Sequence, residues 1–164
     1  MKKLLIAVST LLAMNAANAE QYVGVGVLNI DSDDLSITSI AATFDHKYND
    51  NLGVQIGVAT GGDDDIYVLG FEASVELDYA LSAKVKAGFP TQAGFLYGTV
   101  GYSKVELDGK ALGITVSENG NGAMAGVGAD FNLSDQWGLG LEFNRGFGDI
   151  EDTNLWQAVV QYKF

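Results

Sequence analysis

The sequence contains no cysteine, one proline and one histidine among 164 residues. The absence of cysteine excludes a disulfide scaffold, a thiolate metal site and a catalytic thiol. Basic residues are also scarce, since nine Lys and Arg stand against 21 Asp and Glu, for a formal net charge of −12. Nucleic-acid binding requires clustered cations to neutralise phosphates, so this charge balance argues against a nucleic-acid partner.

Long apolar runs are missing after residue 20, where no segment approaches the roughly 18 uninterrupted apolar residues of a spanning helix. No sustained helical repeat is present either. The chain is nevertheless 48% hydrophobic, with 21 glycines. This apolar content excludes intrinsic disorder, and the length suits one domain.

The N-terminal segment has the layout of a secretory signal peptide. Lys2 and Lys3 precede a largely apolar stretch, Leu4 to Met14, which ends at the small-residue triplet Ala17-Asn18-Ala19. A spanning helix needs about 20 apolar residues, so the shorter stretch favours a cleaved signal over residues 1–19. Cleavage between Ala19 and Glu20 would leave one domain, residues 20–164, with no cysteine for a lipid anchor.

Apolar and polar residues alternate with period two through the rest of the chain, which is typical of β-strands. The last segment shows the pattern best, because its apolar face consists of Trp156, Ala158, Val160, Tyr162 and Phe164. The same alternation recurs over residues 22–27, 36–48, 52–60, 75–89, 95–107, 123–131 and 137–144. The sequence therefore predicts eight strands.

The connections between these strands differ in character. Turns near Asn49, Thr91 and Ser134 are short, whereas the segments near Asp31, 61–74, 108–122 and 149–153 are acidic and mostly longer. An even-stranded antiparallel meander with short turns at one rim and longer loops at the other is typical of a transmembrane barrel. The parity places both ends of the mature chain at the short-turn rim, in the periplasm.

Alternation alone does not separate this barrel from a soluble lipocalin-like one, in which the apolar face points inward. The less apolar face here is rich in glycine and carries few charges, which suits a narrow lumen rather than a water-facing surface. Aromatic residues near the strand ends match interfacial girdles. We therefore expect the charges of the polar face to form lumen ion pairs: Glu76, Asp78, Lys84, Lys86, Asp130 and Glu142.

With the signal peptide, the strand pattern and the ending Trp156 to Phe164, the chain resembles the small outer-membrane β-barrels of Gram-negative bacteria, the OmpA/OmpX-like family. The runs Leu96 to Tyr102 and Ala125 to Phe131 add to this resemblance. It implies export by the general secretory route, periplasmic chaperones, and a C-terminal signal for the barrel assembly machinery at Trp156, Ala158, Val160, Tyr162 and Phe164. It also implies a monomer in outer-membrane lipid, without the peptidoglycan-binding domain of larger relatives.

Candidates for chemistry are few, and the sequence predicts no enzyme, no cofactor and no bound metal. His46 shares parity with Phe44, so we expect it to face outward near the short-turn rim, as an interfacial rather than a catalytic residue. The acidic runs 31–34 and 63–65 lack the spaced ligands of an EF-hand, which favours solvated charge over a calcium site. Tyr67, Leu69 and Phe71 are expected to extend a strand.

Two functions remain open at this point. One is a structural or surface-interaction barrel whose lumen is filled by side chains and whose loops meet partners. The other is a narrow pore for ions or small solutes. An eight-stranded barrel is only just wide enough for its own side chains, which favours the first.

Two cations fall on the outward face of their predicted strands, near the membrane interface opposite the short turns. Lys104 and Arg145 are expected to contact lipopolysaccharide phosphates, while divalent ions bridge the acidic loops. The alternative, that both side chains only snorkel to the interface, stays open.

Overall fold

The computed structural model describes residues 20–32, 35–68, 71–111 and 114–164. The predicted signal peptide and Ala19 lie outside these ranges, as do Asp33, Asp34 and Leu69. Within the described ranges no helix is long and apolar enough to cross a membrane.

The described residues form one antiparallel sheet. Its strands are β1 (Glu20–Ser32), β2 (Leu35–Asn49), β3 (Leu52–Thr60), β4 (Asp63–Val68), β5 (Phe71–Thr91), β6 (Gly94–Ala111), β7 (Ile114–Asn132), β8 (Trp137–Gly146) and β9 (Asn154–Lys163), with a one-turn 3₁₀-helix at Gly148–Ile150. Sequential neighbours pair except β3 and β4, and the sheet closes because β1 pairs with β9 and β3 with β5.

The nine strands form the eight-stranded wall that the sequence predicts, because β3 and β4 together take one place in it. β4 continues β3 beyond Gly61 and Gly62, and both segments pair with β5 in one unbroken register, Ala59 opposite Ala80 and Asp63 opposite Glu76. The two glycines have φ of +72° and +92°, which favours residues without a Cβ. The closed eight-stranded antiparallel barrel is thus confirmed.

The strands are staggered around the barrel. Following ladder partners once around the wall from Ile37 leads back to the same strand at Lys47, a stagger of ten residues (47 − 37). Such a stagger tilts the strands, and with eight of them the interior admits little more than side chains.

Short turns join the strands at the end that carries Glu20 and Phe164, called here the turn side. The Asn49 carboxamide oxygen accepts hydrogen bonds from the backbone N–H groups of Asn51 and Leu52, both at 2.9 Å. The Ser134 hydroxyl accepts one from the Trp137 N–H at 3.1 Å. These local bonds replace the ladder where the chain reverses.

The opposite, loop-side end differs from expectation. Residues 61–74 and 108–122 are mostly strand rather than loop, because β4 to β7 run on beyond the barrel as a loop-side sheet of residues 63–68, 71–79, 104–111 and 114–123. At the far end of this sheet residues 115–119 of β7 are all exposed, so water meets both faces and neither face needs to be apolar. The sequence of the sheet therefore loses the alternation while the backbone ladder continues.

A β-bulge shifts the register of β5 between Leu77 and Tyr79. Leu77 therefore points into the barrel, opposite Leu107, whereas the alternation placed it on the outer face with Leu81. Below the bulge the predicted faces hold, since Lys84 and Lys86 are buried and Val85 is exposed.

Candidate functional site

The turn-side half of the lumen is crossed by charged side chains from different walls. The Lys86 ammonium, from β5, lies 2.9 Å from an Asp45 oxygen on β2 and 3.0 Å from an Asp130 oxygen on β7. Gln55 on β3 donates a further hydrogen bond to Asp45 at 2.9 Å. Each charge in this group thus has a partner of opposite sign or a hydrogen bond, as burial requires.

A second ion pair lies one step further from the turn side. Lys84 pairs with Glu142 on β8, and Asn144 donates to the same carboxylate at 2.7 Å. The Tyr97 hydroxyl lies 3.3 Å from oxygens of both Asp130 and Glu142, so it links the two ion pairs. We call this group the lower cluster: Asp45, Lys84, Lys86, Tyr97, Asp130 and Glu142.

The structure brings together Lys84, Lys86, Asp130 and Glu142 but leaves Glu76 and Asp78 outside the cluster. Because of the bulge, Glu76 takes the outer-face register opposite Asp108, and Asp78 is exposed. The expectation that these two join the lumen pairs is therefore corrected.

Sequence reasoning missed Asp45 and Tyr97. Both could have been found, since each alternates with outward apolar residues, Phe44 and Leu96 respectively, and so falls on the lumen face.

The loop-side half of the lumen is mostly apolar, with the polar Ser39 buried between Ile37 and Ala41. An upper cluster of buried side chains fills it: Ile30, Ile37, Ala41, Ala59, Leu77, Ala80, Val105 and Leu155. Leu28, Leu35, Val75 and Leu107 pack against them. Sequence reasoning assigned the lumen to polar residues throughout; the available signal was the aliphatic residues that occur at lumen parity near these strand ends.

Only a small gap separates the two clusters in the described structure. A cavity of about 30 Å³, whose lining includes the polar Lys84, Ser82 and Ser103 and the apolar Ala59 and Leu155, has room for about one water molecule. On the turn side the lumen opens into a polar vestibule of about 590 Å³. There the Lys47 ammonium lies 4.3 Å from the centre of the Phe95 ring.

The outer wall carries an apolar belt around the barrel. Val25, Ile40, Val100 and Val127 are among its most exposed members. Aromatic residues border it: Tyr48, Phe89, Phe131, Trp137 and Tyr162 on the turn side, with Tyr102, Phe143 and Trp156 towards the loop side. Of the C-terminal residues, Trp156, Val160, Tyr162 and Phe164 are exposed outward, and Ala158 follows the same register.

The two cations at the loop-side edge of the belt both have partners. Lys104 donates to the Tyr79 hydroxyl at 2.7 Å and lies 3.6 Å from Glu106. Arg145 pairs with Asp152 at 3.0 Å. Both remain about half exposed, so further groups can reach them.

His46 has the outer-face register of β2, opposite Gln21 and Val54. Its ring is nevertheless buried, 1% exposed, and stands edge-on to Tyr48 with centroids 4.7 Å apart. Neither ring nitrogen has a hydrogen-bond partner in the described structure. A general base would need such a partner and an open approach.

The acidic run 63–65 lies in β4, where neighbouring side chains point to opposite faces. The Asp64 carboxylate accepts a hydrogen bond from the Ser36 N–H at 2.8 Å. The described part of the chain holds no group of three or more His, Cys, Asp or Glu residues able to bind a metal ion.

An apolar outer belt, aromatic borders and a polar lower lumen define a transmembrane β-barrel of the outer-membrane type. Residues 4–164 match the family described as "Outer membrane protein beta-barrel domain", and the chain belongs to this family. Its place is therefore the Gram-negative outer membrane, as the sequence predicts. No curated protein sequence matches the chain.

Several solved outer-membrane barrels share the fold. OprG from Pseudomonas aeruginosa superposes with a TM-score of 0.68 at 15% identity, over 89% of this chain and 96% of that one. Ail from Yersinia pestis, solved in complex with the heparin analogue sucrose octasulfate, gives 0.59 at 14% identity, over 89% and 97%. Outer membrane protein W of E. coli gives 0.58 at 14% identity, over 89% and 98%. At these identities the likeness concerns the fold alone.

Proposed function

We propose that this protein is a non-enzymatic outer-membrane barrel with a lumen filled by its own side chains, which serves a structural or surface-interaction role through its loop-side end. The observation that carries the proposal is the stack of two clusters in the lumen. An ion crossing the barrel would have to displace the Lys86 and Lys84 ion pairs and then pass aliphatic side chains. Both steps have a large desolvation cost.

A non-enzymatic role is supported by the surroundings of the single histidine. His46 is buried beside Tyr48 at the turn-side edge of the belt, far along β2 from the loop-side end.

The loop-side sheet is the proposed interaction surface, and it is acidic. Asp63, Asp64, Asp65, Glu72, Glu76, Asp78, Glu106, Asp108 and Glu118 stand against Lys104 and Lys110. Ail was solved with a polysulfated ligand. An acidic sheet would repel such a ligand, so we propose a cationic partner surface for this chain.

Membrane lipid is the second proposed partner. Lys104 and Arg145 lie where the belt meets the polar loop-side end, so they can contact lipopolysaccharide phosphates in competition with Glu106 and Asp152. For biogenesis, the outward Trp156, Val160 and Tyr162 support the proposed assembly signal.

Single-channel recording in planar bilayers tests the filled lumen. We expect no conductance steps from the wild-type protein. Truncating the upper cluster in Ile37→Ala with Leu77→Ala should still give none, because the lower cluster remains, whereas adding Lys86→Ala should produce intermittent steps. The matched control truncates outward residues instead, in Ile40→Ala with Leu81→Ala. Steady steps from the wild type would reject the filled lumen and favour the narrow pore.

A further inference from the structure

The outer wall contains a groove of its own, although Tyr97 and Glu142 of the lower cluster are among the residues that line it. Its volume is about 840 Å³, and its lining comes from six consecutive wall strands, β5 to β9 and β1. Its outward lining includes the small residues Ala87, Gly98, Ala129 and Ala158, called here the floor, with the larger Val127 and Leu141 between them. We call it the belt groove.

Gly98 leaves part of the groove without a side chain. A Cβ added to Gly98 would meet no atom closer than 3.8 Å, so open space lies above this residue. Large residues rise beside the floor. Phe143 and Trp156 form one wall with ring centroids 4.4 Å apart, and Leu96 and Phe89 stand near the other end.

The belt groove follows the ladder of paired residues across the wall. Leu96, Ala129, Leu141 and Ala158 are successive partners along one such row. The groove crosses five strand spacings of about 4.8 Å, so it is roughly 24 Å long. The wall curves along this path, so an acyl chain must bend to follow it within a leaflet of hydrocarbon about 15 Å deep.

Hydrocarbon is the material that reaches this surface, because exposed belt residues such as Val27, Val127 and Leu141 line the groove. A groove left empty would forfeit the dispersion contacts of its walls. A chain lying in it gains contacts that a smooth, convex part of the belt does not offer.

A cation marks the loop-side end of the groove. Arg145 lies two residues beyond Phe143 on the same face of β8, and its ladder partner Asn154 lies two residues beyond Trp156. The Arg145 side chain is 55% exposed, and one of its guanidinium nitrogens lies 3.0 Å from an Asp152 oxygen. Its remaining donors suit the oxygens of a phosphate.

We propose that the belt groove is a lipid-binding site that holds one acyl chain of a phosphate-bearing lipid, with the phosphate bound by Arg145. The site deepens the lipid contact proposed above and rests on it. It adds a defined binding position for a single lipid, in contrast to a general attraction of anionic lipid to cations at the edge of the belt.

The two tryptophans allow a direct test, because Trp156 lines the groove and Trp137 does not. Trp137→Phe leaves Trp156 as the only tryptophan of the chain. This variant is reconstituted in phosphatidylcholine vesicles that contain brominated-chain phosphatidic acid or, at equal mole fraction, brominated-chain phosphatidylcholine. We expect Trp156 to be quenched at a mole fraction of phosphatidic acid about five-fold lower.

Variants separate the groove from the charge. Ala129→Leu, or Gly98→Leu should the first fail to fold, fills the floor and should bring the five-fold preference close to one. Arg145→Gln should do the same. Ala83→Leu is the matched control, since it adds the same group to an outward position on β5 outside the groove, and it should retain the preference. Heat-dependent gel migration identifies the folded barrels.

Three results would overturn the site. A preference that survives in both floor variants but vanishes in Arg145→Gln would leave the proposed phosphate contact standing and reject the groove. A preference unchanged in Arg145→Gln would reject the assigned phosphate contact. An equal preference at Trp137, measured in Trp156→Phe, would mean general attraction of anionic lipid to the belt.

Discussion

Two short stretches of neighbouring strands place the same residue types on opposite sides of the wall. In Lys84-Val85-Lys86 the charges are buried in the lumen and the valine is 41% exposed. In Lys104-Val105-Glu106 the valine is 6% exposed in the upper cluster, and the charged neighbours lie on the outer face. The barrel is therefore inside-out across the belt and has the polarity of a soluble barrel at its loop-side end.

The difference follows from what surrounds each level of the wall. At the level of Val85 the outer surface faces hydrocarbon, so polar groups must find partners in the lumen. At the level of Lys104 the outer surface meets headgroups and water, so apolar residues gain by turning inward. The same ladder carries both arrangements, because a backbone hydrogen bond does not depend on which face is apolar.

The largest expected effect concerns the lower cluster. Lys86→Ala removes the cation between Asp45 and Asp130 and leaves two buried carboxylates facing each other. We expect the free energy of unfolding to fall by about 3–5 kcal/mol, measured by urea unfolding in phospholipid vesicles. Lys163→Ala is the control, since its pair with Glu20 at the open rim should contribute less than about 1 kcal/mol. Equal losses of unfolding free energy in the two variants would mean that burial does not increase the contribution of the Lys86 ion pairs to stability.

The next effect concerns the upper cluster and its bulge. Leu77→Ala should destabilise the barrel by about 3 kcal/mol, because the cavity left in the lumen has no solvent to fill it. Leu81→Ala, four residues along the same strand, should lower the free energy of unfolding much less, since lipid fills the space left on the outer face. Similar losses at both positions in the same urea titrations would contradict the inward placement of Leu77.

A double-mutant cycle measures how far the lower cluster depends on pairing rather than on charge. Lys84→Met and Glu142→Leu should each be strongly destabilising, while the double variant should regain about 2 kcal/mol or more relative to the sum of the single losses. The coupling is read from the three unfolding free energies and that of the wild type. A coupling near zero would mean that Lys84 and Glu142 are stabilised independently.

The smallest effect is expected at the outer face beside the upper cluster. Lys104→Gln with Arg145→Gln should change stability by less than about 1 kcal/mol, because both side chains are half exposed. Stabilisation by lipopolysaccharide, followed as the thermal midpoint with and without a chelator, should decrease in the double variant. If the midpoint rises equally in both proteins, the two cations only snorkel.

The sequence predicts the strand positions and most faces because each strand in the belt obeys period two. β3 was predicted with its observed ends, Leu52 and Thr60. The loop-side strands could not be predicted in this way: residues such as Ser117 and Glu118 are exposed to water on both faces of β7, so nothing in their composition distinguishes strand from loop.

The candidate site can be predicted where side chains alternate regularly between the two faces of a strand. The prediction fails where a bulge shifts this alternation. Lys84, Lys86, Asp130 and Glu142 follow from alternation, and Asp45 could have been included on the same ground. Glu76 and Leu77 could not be assigned to the correct face, because no residue near Asp78 indicates that β5 has an extra residue at the bulge. The Tyr97 contacts depend on which walls face each other across the lumen, and this follows from the stagger rather than from any local pattern.

The stagger of ten residues has a consequence for engineering. The circumference is set by backbone hydrogen bonds around a closed ring, so the wall cannot move inward when a lumen side chain is shortened. Holes made in this protein should therefore persist with the shape of the group removed. A cavity made by shortening Ile37 should keep its shape and stay dry. It should bind small apolar molecules, because the surrounding wall does not depend on the molecule bound.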